Sequence, residues 1–70
     1  MSDDLKNRLL SLKQPIRVFM EFGIAPINST TAALKQLYED IGHAPTGTCG
    51  GCIPMIIQTL NDHAKEEKLW

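Results

Sequence analysis

Proline and glycine cut this chain into four short segments. Pro15 interrupts the first, Gly23 closes the second, Gly42 closes the third, and Gly50 and Gly51 precede the fourth. Proline fixes φ and removes an amide donor, and glycine just past an apolar run is a common helix stop. A chain so divided builds only short elements and must bury them against one another. At 70 residues it is one small domain over 1–70, of a size that buries only about 60% of its unfolded surface. Domains this small usually lean on a staple: a disulfide, a metal or a partner subunit.

The apolar residues recur with helical spacing. Leu5, Leu9 and Leu12 share a face behind Ser2, a capping residue, with Asp3 and Asp4 where the helix dipole favours negative charge. This predicts a helix over 3–13. Leu34, Leu37, Tyr38 and Ile41 form a stripe over 29–41, with Asn28 or Ser29 as the cap and Gly42 as the stop. Ile53, Ile56, Ile57, Leu60 and Ala64 predict a helix over 53–68, with Pro54 in its first turn, where a missing amide costs little. Residues 15–22, "PIRVFMEF", carry two patterns. Ile16, Val18, Met20 and Phe22 alternate like a strand, whereas Ile16, Phe19 and Met20 suit a short helix with Pro15 at its start. Nothing else in the chain resembles a partner strand, which favours the helix. The fold class expected is therefore all-α, a small bundle of three main helices plus a short one near 15–22.

Composition narrows the function. Seven basic and eight acidic side chains give a net charge of −1, so no electrostatic bias toward nucleic acid or anionic lipid is visible. No apolar run reaches the roughly 18 residues of a membrane span, and the acidic start Met1-Ser2-Asp3-Asp4 is unlike a basic signal peptide. The expected location is cytoplasmic: a host cytoplasm, or a virion assembled there. There is no Ser-His-Asp spacing and no Gly-rich phosphate loop after a strand, so no enzyme is expected.

Both cysteines fall in one motif, Cys49-Gly-Gly-Cys52, which has three readings. A Cys-x-x-Cys before a helix has a lowered thiol pKa, and "TCGGCIPMI" locally resembles the thioredoxin active-site loop. However, no strand precedes it, and the 18 residues after Cys52 are too few for that family's remaining sheet. Zinc is the second reading, with His43, Cys49 and Cys52 as candidate ligands. His63 lies eleven residues past Cys52, about 16 Å along a helix, too far to share an ion held at the helix start. In the third and favoured reading, the motif is a helix-start turn: Thr48 caps, the glycines supply the turn, and the thiols pack as small apolar groups. His43 and His63 are read as surface residues.

"TTAALKQLYEDIGHAPTGT", residues 30–48, resembles the front half of a SAP or HeH-type motif, a helix, an extended loop and a second helix. The matching positions are Thr31, Leu34, Leu37 or Tyr38, Gly42, Pro45, Gly47 and Thr48, and with the last helix the resemblance spans residues 30–66. It implies nucleic-acid binding through basic residues after the Gly-Thr turn. Here Cys49 to Leu60 carries no positive charge, so the resemblance implies the shape more than the binding. Were nucleic acid bound, Arg8, Lys13, Arg17 and Lys35 would have to converge on one face. In overall type the chain also resembles small phage and prophage proteins.

The leading expectation is a small non-enzymatic helical protein, phage-like in type, acting through protein–protein contact as a virion component or a host-factor modulator. Ile16, Val18, Phe19, Met20, Phe22, Ile24, Ile27, Met55 and Trp70 are more apolar surface than so short a chain easily buries. Phe19, Met20, Phe22, Met55 and Trp70 are the candidate partner-binding residues, although helical spacing also makes Phe19 a core candidate. Trp70 either packs back on the first helix or anchors a partner, a role in which Trp is enriched. The partner is another protein or a second copy, which would form a homo-oligomer. The alternatives are a SAP-like nucleic-acid module, or a zinc or thiol function at Cys49 and Cys52. No cofactor is expected apart from that zinc.

Overall fold

The computed structural model describes residues 1–47 and 50–70. The described residues form four helices, α1 (Asp3–Ser11), α2 (Lys13–Phe22), α3 (Asn28–Ile41) and α4 (Cys52–Glu66). No strand occurs among the described residues, so "PIRVFMEF" is helical. None of the helices is long and apolar enough to cross a membrane.

The break between α1 and α2 follows from Pro15. Its ring would collide with the Ser11 carbonyl if α1 continued, and the chain bends at Leu12, which ends α1 and begins α2 with no linker. The predicted first helix over 3–13 thus stops at Ser11, and Lys13 belongs to α2. Pro15 is the third residue of α2, not the first. Its missing amide is one of the four donors that a helix start leaves unpaired anyway. The first bond of α2 runs from Ile16 N–H to the Leu12 carbonyl at 3.2 Å. Gly23 ends α2 in the left-handed region, at φ 70°, where a side chain would be strained.

Capping follows the sequence at α1 and departs from it at α3. Ser2 Oγ accepts from Leu5 N–H at 3.3 Å. At α3 neither Asn28 nor Ser29 caps. Ile27 is the boundary residue and makes no side-chain cap bond, so Asn28 is already helical. Thr48, the cap expected for α4, lies outside the described residues. Gly51 precedes α4 without a side-chain bond.

The core joins all four helices: Leu9 of α1, Ile16 of α2, Leu34, Leu37 and Tyr38 of α3, and Ile56, Ile57, Leu60 and Ala64 of α4. Each stripe read from spacing faces inward. Ile16, counted above with the surplus apolar surface, is fully buried. This makes α2 a structural helix whose packing is chiefly on α4.

Ion pairs tie the outside together. Arg8 of α1 donates to Asp40 of α3 at 2.8 Å, and Gln36 donates to the same carboxylate at 2.9 Å. These bonds hold the Asp40 carboxyl below its ordinary pKa, the Arg8 hydrogen bond contributing most, then that of Gln36; slight desolvation opposes them and the Arg8 charge adds to them. A depressed carboxylate stabilises the fold above its unfolded pKa and loses that contribution as pH falls through the folded value. An NMR titration should place the Asp40 midpoint below that of a free aspartate, and Arg8→Gln should move it upward. An unmoved midpoint in that variant would rule out Arg8 as the cause.

Candidate functional site

The ends of α3 and α4 are closed by the same kind of turn, and each turn delivers an aromatic ring. At the end of α3, Gly42 adopts φ 123° and the His43 amide reaches back to the Tyr38 carbonyl at 3.3 Å, the long bond of a Schellman turn. His43 is thereby folded over Tyr38. The two rings stack with centroids 4.5 Å apart and planes 16° from parallel. At the end of α4, Lys68 takes the position usually given to glycine, at φ 57°, and the Leu69 amide bonds the Ala64 carbonyl at 2.9 Å. An L-residue there costs on the order of 1 kcal/mol. The turn brings Leu69 and Trp70 back against the core.

His43 then meets His63. Their Nε2 atoms lie 2.8 Å apart in a part-buried contact, with ring centroids at 5.1 Å and planes inclined by 62°. One Nε2 carries a hydrogen and the other accepts it. Both histidines, read from sequence as surface residues, are half-buried. An open cleft of about 320 Å³ borders His63 and is lined also by Ile41, Glu66 and Glu67. Partial burial tends to raise the Glu67 carboxyl pKa, but the hydrogen bond and charge of the Met1 ammonium, with those of Lys6, outweigh it and leave it below the ordinary value.

The zinc candidates are placed as follows. Cys49 lies outside the described residues. Cys52 is half-buried at the first position of α4 and is held in a disulfide. His43 is engaged with His63, eleven residues along α4 from Cys52, or about 16 Å of helix axis. Among the described residues no group of three or more His, Cys, Asp or Glu is arranged to hold a metal.

The candidate partner-binding residues divide into two sets. Met20, Phe22 and Met55 are exposed. Phe19 and Trp70 are half-buried against the core. Trp70 packs back as one sequence reading expected, but its hydrogen bond goes to α4 instead of the first helix: indole Nε1 donates to Asn61 Oδ1 at 3.0 Å. Met20 and Trp70 border one groove together with Arg17 and Lys65. Beyond α2, Ile24 and Ile27 continue the exposed apolar run.

Three of the four cations that a SAP-like surface would need are matched to carboxylates: Arg8 to Asp40, Arg17 to Glu21 and Lys35 to Glu39. Such pairing lowers the positive potential available to a phosphate backbone. No family model, curated protein or solved structure matches this chain.

Proposed function

We propose that this protein is a small non-enzymatic interaction module that docks through the corner between α2 and α3. One observation carries the reading: Phe22, Ile24 and Ile27, which fall within six consecutive residues, are 70%, 58% and 71% exposed. Scattered exposed apolar residues are normal, but a concentrated apolar patch marks a contact surface. The occupant that fits best is a second copy of this chain. A net charge of −1 sets up little repulsion between copies, and a self-complementary patch is the usual basis of a two-fold dimer. A virion component and a host-factor modulator are the two settings in which such a phage-like protein would act, and self-association fits the first more directly.

The test is sedimentation equilibrium over a wide concentration range on the wild type and on the double variant Phe22→Ser, Ile27→Ser. The wild type should form a concentration-dependent dimer that the variant does not form. Both positions are exposed, so monomer stability should change by no more than about 0.5 kcal/mol for each. A wild type that stays monomeric at millimolar concentration would overturn self-association through this corner.

A further inference from the structure

From the contact between His43 and His63 we infer a binding site for a divalent transition-metal ion, with the two Nε2 atoms as its protein ligands. This inference is independent of the docking corner between α2 and α3 and uses none of its residues.

Two imidazole nitrogens already face each other, 2.8 Å apart, with ring centroids at 5.1 Å. A tetrahedral ion bound at about 2.0–2.1 Å from each nitrogen needs them roughly 3.3 Å apart. An opening of about half an ångström, with each ring turned by roughly 35° so that the two lone pairs meet off the N–N line at a tetrahedral angle, admits the ion in place of the shared hydrogen. The ring that donates through Nε2 shifts its hydrogen to Nδ1, so both lone pairs face the metal and the neutral pair loses no net proton. Imidazole suits zinc, copper and nickel.

The surroundings preorganise the pair. Tyr38 stacks on His43 and fixes its ring plane, and the Gly42 turn sets where that ring sits. His63 is carried on the last turn of a fifteen-residue helix. The cleft beside His63 leaves room for water to complete the coordination shell. Glu66 and Glu67 border that cleft and supply negative charge near a cation. Glu67 is occupied by the Met1 ammonium and Lys6, so it contributes field instead of a ligand. This pair is a different donor set from the Cys-x-x-Cys motif, and the disulfide at Cys52 does not limit it.

The test titrates chelator-stripped protein with Zn²⁺ and Cu²⁺ by calorimetry and native mass spectrometry, without reductant. The wild type should take one ion per chain, with Cu²⁺ bound more tightly than Zn²⁺. His43→Gln and His63→Gln should each weaken binding by more than about tenfold, the lower end of what losing even an outer partner of a ligand costs. Cys52→Ser should leave the affinity unchanged. Nitrogen-15 spectra of the wild type should show both histidine rings shifting at one equivalent of Zn²⁺, a readout that does not depend on any variant folding. Three results would overturn the site: no ion retained at metal excess, binding that survives both histidine changes, or ring signals that do not move while an ion is bound.

Discussion

Leu60→Ala lowers the unfolding free energy by about 2–5 kcal/mol, the cost of deleting a large enclosed side chain and leaving a cavity. Leu60 is fully buried, one of the four core residues of α4. That helix packs on each of the other three, so the site has little freedom to collapse around the void. A domain of this length has roughly 4–10 kcal/mol of total stability. The variant should therefore lose a large share of its stability, from about a fifth to all of it. Chemical denaturation followed by circular dichroism measures this directly. A loss below about 1 kcal/mol would mean that Leu60 is not enclosed as described, because such a value is typical of removing a methyl group, not of Leu→Ala.

Trp70→Phe should cost about 1–3 kcal/mol, largely because it strands Asn61. Asn61 is 6% exposed, and its Oδ1 accepts the indole hydrogen at 3.0 Å. Phenylalanine keeps most of the apolar ring but has no donor. A buried acceptor without a partner carries its full desolvation cost, whereas removing both partners of a hydrogen bond is nearly neutral. The double variant Trp70→Phe, Asn61→Leu should therefore recover much of what Trp70→Phe loses. Equal stabilities for the single and double variants would show that ring packing, not the hydrogen bond, holds the end of the chain. The wild-type tryptophan should also emit to the blue of a solvated indole, since it is half-buried.

The stripes of α1, α3 and α4 were legible because helical spacing is local: Leu34, Leu37 and Tyr38 lie on one face as soon as that segment is helical. Gly42 was legible as a stop for the same reason. Segment 15–22 was harder. Eight residues are too few to separate a period of two from one of 3.6, and the question is decided by Ile16, which is buried in the core that α4 shares. The α3 cap is not legible because Asn28, a good capping residue, stands one place past the boundary, and boundaries shift by a residue or two without changing the helix. Of the candidate docking residues, Met20, Phe22 and Met55 are exposed, whereas Phe19 and Trp70 are half-buried against the core.

The histidine pair had no local signal. His43 and His63 are separated by 20 positions, and spacing from Cys52 places His63 too far along the helix to share an ion at its start. His43 reaches it only because Gly42 folds the chain back over Tyr38 and because α3 and α4 pack together.

From its sequence alone this chain was destined to be helical, divided at Pro15, Gly23 and Gly42, with inward faces already marked. Those features need only neighbours three or four residues apart and the steric limits of proline and glycine. Which loop residue would touch which helix was left to the tertiary structure. The Tyr38–His43–His63 cluster, the bond from Trp70 to Asn61 and the exposure of Phe22, Ile24 and Ile27 all depend on how four helices cross. Crossing is set by side chains from separate segments fitting together around one core, and no single stretch of sequence contains that fit.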